Sequence, residues 1–161
     1  MVLVRETIMD DWPALRDIRL EALRGAPAAF GSTYEREALR GEPHWRNRIA
    51  RGGTFLAFIP EVSASEPAGL IGGYQEDPVT VKLVSMYVRP RARGRGVGDA
   101  LVATVLDWAS KRNAATVHLW VTETNSHARG LYERCGFTPT GERQPLPSDP
   151  AIGEVALVLQ P

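Results

Sequence analysis

Residues 79–111, VTVKLVSMYV-RPRARGRGVG-DALVATVLDWASK, constrain the fold more than any other part of the chain. The first ten are rich in β-branched and aromatic side chains, which is the composition of a strand. The last thirteen place Leu101, Val105 and Trp108 on one helical face, with Val102, Leu106 and Ala109 beside it, so a helix buries one broad side. Between them stand Arg89, Arg91, Arg93 and Arg95, then Gly94, Gly96 and Gly98, with no acid among them. A helix opening near Gly96 leaves about four N–H groups without intrahelical partners and adds the positive end of its dipole. Glycines admit positive φ and let an anion reach the backbone, and arginines can close on phosphate oxygens bidentately. The alternative is a solvated turn whose arginines keep the surface soluble.

Such a strand, loop and helix unit implies a sheet with crossing helices, and the remaining sequence supplies the other parts. Residues 2–6, 54–59, AGLIGGYQE, VHLWV and 155–159 read as strands. Asp10-Asp11-Trp12-Pro13 is a helix start with an acid able to cap, followed by Leu15, Ile18 and Ala22 and a stop at Gly25. Residues 26–52 read as two short helices with loops, and 141–150, with three prolines, as a loop before the last strand. NSHARGLYERCGF is a short helix ended by Gly136. The expected fold is α/β: one domain over residues 1–161, a mixed sheet flanked by helices.

Bulk properties narrow the function. The 161 residues carry 19 basic and 19 acidic side chains, and this zero net charge argues against nucleic acid or an anionic membrane as partner. No stretch approaches the roughly 20 apolar residues of a membrane span. The first dozen residues contain acids and no long apolar run, so no signal peptide is expected. The lone Cys135 cannot form an internal disulfide and fits a reducing cytoplasm, the expected location. His44, His118 and His127 are scattered, so no metal site is expected.

Two phosphate loops fail by letter. A P-loop needs Gly-Lys-Ser/Thr, whereas Gly98 precedes Asp99-Ala100. A dinucleotide fingerprint needs GxGxxG, and Gly94-Arg95-Gly96-Val97-Gly98 is one residue too tight. The pattern that fits is Arg/Gln-x-x-Gly-x-Gly/Ala, met by Arg93, Gly96 and Gly98 after a strand. In that form the stretch resembles the coenzyme A pyrophosphate loop of the GNAT superfamily of N-acetyltransferases. Further on, Asn125, Ala128, Leu131, Tyr132, Gly136 and Phe137 resemble a second motif of that family, covering residues 79–137 together with the first. Read without the family, Asn125 is a good N-cap, and Ala128, Leu131 and Cys135 form a core stripe that Tyr132 flanks.

The resemblance implies a GNAT-like fold with a splayed central strand pair and acetyl-coenzyme A as cosubstrate, without metal. It implies that Met86 and Val88, with Tyr87 between, offer backbone groups to the pantetheine arm. The amides from Gly94 through Arg95, Gly96, Val97 and Gly98 to Asp99 would hold the pyrophosphate, with Arg93 opening the motif. The Asp99 carboxylate is expected to turn away. Asn125 would contact the pantetheine, and Tyr132 would be the general acid that protonates the departing thiolate. A phenol near pKa 10 stays protonated at pH 7 and can donate to a thiolate whose acid titrates near 8.5.

No base is assigned. A lysine-like amine is neutral in only about one molecule per few thousand at pH 7. The family's strand glutamate is replaced here by Lys82, which leaves Glu76, Glu123 or water. Phe30, Tyr34, Trp45 and Arg46 fall where the family's variable helices wall the acceptor pocket, although core packing explains them too. The expected reaction is direct acetyl transfer to a primary amine of a small molecule. Acetylation of a protein N-terminus and a non-catalytic acyl-coenzyme A sensor are the alternatives. Oligomeric state is open, a homodimer included.

Overall fold

A computed structural model describes all 161 residues. Seven strands form one sheet: β1 (Leu3–Glu6), β2 (Thr54–Phe58), β3 (Gly69–Asp77), β4 (Thr80–Val88), β5 (Thr116–Thr122), β6 (Thr138–Leu146) and β7 (Asp149–Leu159). Their spatial order is β1-β2-β3-β4-β5-β7-β6, antiparallel everywhere except between β4 and β5. Helices α4 (Val97–Lys111) and α5 (Ser126–Arg134) cover one face, and α1 (Trp12–Gly25), α2 (Tyr34–Glu37) and α3 (Glu42–Ala50) cover the other. The mixed sheet with flanking helices meets the expectation.

The alternation of the strands feeds two cores. Val81, Leu83, Val117, Leu119 and Leu157 pack with Val97, Leu101, Val105 and Leu131 on the α4 side. Leu56, Phe58, Leu70 and Tyr87 pack with Leu15, Ile18, Trp45 and Ile49 on the α1 side. Each such side chain, buried fully, contributes about 1.5–3 kcal/mol. Phe30 and Trp45 belong to this second core, while Arg46 pairs outside with Glu42 at 2.9 Å.

The β4–β5 pair shapes the site. Its parallel register runs only from Thr80↔Thr116 to Lys82↔His118, although both strands continue. A β-bulge lies where the two stop: Ser85 and Met86 together oppose Ile71, and Ser85 takes a left-handed φ of 63°. A bulge bends its strand and increases the local twist, so β4 turns from β5 and the two facing edges remain unpaired.

Two local expectations are corrected. Asp11 does not cap α1; its carboxylate accepts the Ile8 N–H at 2.7 Å and an Arg5 guanidinium, closing the single 3-10 turn before the helix. Residues 141–150 are not a loop but part of a hairpin, β6 turning into β7. Pro139 and Pro145 are tolerated because β6 is the sheet's edge, where a missing N–H breaks no ladder.

Candidate active site

The Arg/Gly loop ends on α4, whose N-cap is Gly96 with φ 80° and no side-chain cap. The backbone N–H groups of Gly94 through Asp99 donate to nothing in the protein; the next, Ala100 N–H, bonds to the Gly96 carbonyl at 3.1 Å. Six consecutive donors therefore surround one helix start. The glycines divide the work. Gly94 and Gly96 are needed for their left-handed φ, and a Cβ on either would meet only open space. Gly98 is needed for packing, since a Cβ there would lie 3.0 Å from Leu131 Cδ2 and 3.1 Å from Met86 Cε.

The four arginines are differently engaged. Arg89 is tied to Glu21 at 3.3 Å and to the Pro67 carbonyl at 3.0 Å. Arg93 folds back and donates through Nε to the Val88 carbonyl at 3.1 Å. Arg91 and Arg95 are exposed.

Met86 and Val88 turn their side chains to the α4 core. Tyr87 points the other way, buried in the α1 core with its hydroxyl donating to Glu21 Oε2 at 3.0 Å, so its ring is kept from the loop. Asn125 follows β5 and caps α5, its Oδ1 accepting the Ala128 N–H at 3.1 Å. Tyr132, on the inner face of α5, is buried edge-on to Phe137 at a centroid distance of 5.8 Å. Burial and then the neighbouring Cys135 push the Tyr132 phenol upward, which keeps it protonated through neutral and alkaline pH. The Asp99 carboxylate faces α5, 3.6 Å from the Arg134 guanidinium, in the direction the sequence suggested. Cys135 lies 3.9 Å from that carboxylate, and burial followed by Asp99 raises its thiol, so it is a poor nucleophile.

The sheet's other face carries a second concavity. Residues 27–35 and the β6–β7 turn enclose a cleft of about 510 Å³, lined by Leu23, Tyr34, Ser148 and Ile152 among others. The Ser148 hydroxyl donates to the Phe30 carbonyl at 2.5 Å and fixes the turn to that segment. The two carboxylates considered as bases differ. Glu123 is paired with Arg143, and Glu76, half-exposed and without a hydrogen bond, sits at the closed end of the β4–β5 pair, where the two strands leave no gap. Sequence reasoning missed Glu154, a buried carboxylate on β7 whose hydrogen bond comes from Gln144 Nε2 at 2.5 Å and which has no cationic partner. Its strand was expected to begin only at 155. Alternation along GEVALVL, once extended by two residues, would have turned Glu154 inward with Ala156.

Comparisons with known proteins bear on the fold and the family. The chain is 43% identical over 63 residues to a mycothiol acetyltransferase of Beutenbergia cavernae, covering 39% of this chain and 21% of that protein. It is 42% identical over 142 residues to an uncharacterized N-acetyltransferase of Methanocaldococcus jannaschii, covering 83% of this chain and 59% of the relative. The chain thus spans well under two thirds of the length of either. The structure of yncA, a putative acetyltransferase from Salmonella typhimurium with its cofactor acetyl-CoA, superposes with a TM-score of 0.77 at 17% identity, covering 99% of this chain and 94% of that one. The sequence model of the acetyltransferase (GNAT) family matches residues 12–137, and the chain belongs to that family.

Proposed function

We propose that the protein transfers an acetyl group from acetyl-coenzyme A directly to a primary amine of a small molecule. The observation that carries this is the row of six unpartnered amides, Gly94 to Asp99, beside the unpaired edge of β4. The diphosphate of the coenzyme rests on those amides, where donors and helix dipole favour negative charge. The pantetheine arm lies along β4 like an added strand, meeting the backbone at Met86 and Val88. Tyr87 contributes main chain only. The Asn125 side-chain amide has its N–H₂ group to offer once its oxygen is engaged as the cap.

The chemistry follows from that seating. The amine attacks the thioester carbonyl, the carbon–nitrogen bond forms, and the carbon–sulfur bond breaks with the electron pair leaving on sulfur. Tyr132 delivers its proton to that thiolate, the acylated nitrogen releases its surplus proton to water, and a proton from water restores the phenol. Its burial keeps the proton in place until the thiolate appears. The cleft between residues 27–35 and the β6–β7 turn receives the acceptor, and its volume suits a small molecule.

The test is an amine panel with acetyl-coenzyme A, read by free thiol. Turnover of at least one small amine is expected, together with a loss on the order of 10²–10⁴ in kcat for Tyr132→Phe. Tight coenzyme binding without thiol release for any amine, and no effect of Tyr132→Phe, would leave a sensor instead.

A further inference from the structure

A third concavity, of about 600 Å³, opens on the other side of β4, where β2 starts at Thr54 and β3 passes as Gly72-Gly73. Both glycines are buried, and a Cβ on Gly73 would lie 3.2 Å from Trp108 and from Val105; α1, α3 and the residues just after α3 and α4 send arginines toward the cavity beside them. Arg19, Arg48, Arg51 and Arg112 all line the cavity, and no acidic residue does.

Charge is not balanced there. Glu37 grips Arg19 in a two-bonded fork at 3.0 and 2.9 Å and lies 3.8 Å from Arg48, so one carboxylate serves two guanidiniums. Neither Arg51 nor Arg112 has an acidic oxygen within 4.0 Å; Arg112 is stacked on Trp108 at 4.1 Å. Glu6, at the rim, is engaged by the Gly53 N–H at 2.8 Å. The Ser85 hydroxyl accepts from both Arg19, at 3.3 Å, and Arg48, at 2.9 Å, and the residue holds a left-handed φ to do so. A hydroxyl is a weak counterpart to two cations. Burial and then the Arg19 charge push Arg48 down to about 10, the sign of like charges crowded in a poorly solvated place.

We propose that this cavity is a binding site for a small molecule carrying a carboxylate or phosphate group, which lies against Arg48, Arg51 and Arg112 and supplies the missing negative charge. Guanidinium forks match the planar edge of a carboxylate and two oxygens of a phosphate equally well. The site is separated by β4 from the edge that faces β5, and it does not depend on the function proposed for that edge.

Calorimetry at fixed ionic strength tests it, with inorganic phosphate, succinate and the uncharged succinamide as probes. The wild-type protein is compared with the double variant Arg51→Gln, Arg112→Gln. The Arg/Gly loop is unchanged in both, so any anion bound there cancels. Phosphate, succinate or both are expected to bind the wild type, with about a tenfold or greater loss in the variant. Preference for one probe identifies the acidic group of the ligand, and succinamide is expected not to bind. Equal affinity in the two proteins, or no binding of either anion to the wild type, overturns the proposal. Arg51 is exposed, so the single Arg51→Gln variant folds even if the double one does not, and it carries the same expectation.

Discussion

Arg89, Arg91, Arg93 and Arg95 are neighbours in the chain and do not converge: one is tied to Glu21, one to a carbonyl, and two reach into solvent. Arg19 and Arg48 come from α1 and α3, Arg51 and Arg112 directly follow α3 and α4, and all four line one cavity. The first region presents main-chain donors that no group of the protein accepts from, and its stability owes little to the arginines. The second is made by side chains held in place by Glu37 and Ser85. Density of charge in a sequence and density of charge in space are therefore different properties. Substitutions at the loop's open positions, Gly94 to Gly96, are expected to alter binding and leave folding nearly intact, whereas substitutions of the ion-paired residues beside the cavity alter folding as well.

The largest effect is expected at Glu37. Glu37→Ala leaves Arg19 and Arg48 buried without their carboxylate, and urea unfolding is expected to show a loss of about 3–5 kcal/mol. A loss under 1 kcal/mol would show that the arginines are solvated and would erase the contrast. Gly96→Asp comes next, because it places a Cβ and a negative charge on a left-handed position amid the free amides. Coenzyme affinity is expected to fall on the order of a hundredfold, with a far smaller change in melting temperature.

Within the loop, Gly98→Ala and Gly94→Ala separate packing from backbone strain. The first forces a methyl against Leu131 and Met86, at about 1–3 kcal/mol. The second meets open space and is limited to about 1 kcal/mol of left-handed strain. Chemical denaturation of the two single variants measures the order, and a reversal would mean that the loop is not seated on α5.

The smallest effect is in acid. Burial raises the Glu37 carboxyl, but its bonds to Arg19 and the nearby Arg48 lower it more, to below its ordinary 4.5. Its stabilising share is therefore complete above about pH 4.5 and lost as pH falls through the lower native value. The wild type is expected to lose stability below pH 4.5 more steeply than Glu37→Gln, measured as urea midpoint against pH.

What could be read from the sequence was local. Arg93-x-x-Gly96-x-Gly98 and Asn125 to Phe137 are contiguous strings on single elements, so their residue types and spacing carry the geometry. Asn125 caps α5 as its residue type suggested, whereas Tyr132, read as flanking the core stripe, is buried within it. The β6 strand escaped because its prolines suggest a turn unless its position at the edge is known, and edge position is a property of the whole sheet. The arginine cavity escaped for a related reason. Ser85, Arg48 and Arg112 have no fixed spacing, and only the bulge and the approach of three helices bring them together.

Gly98 has a mechanical consequence. Its bare Cα lets Leu131 rest on the opening turn of α4, and Tyr132 is the next residue along. Under the proposed function, grip on a diphosphate and aim of the phenol are then parts of one joint. Coenzyme binding should slow hydrogen exchange across 126–134 as well as 96–101, so a proton donor far from the nucleotide would still register its arrival.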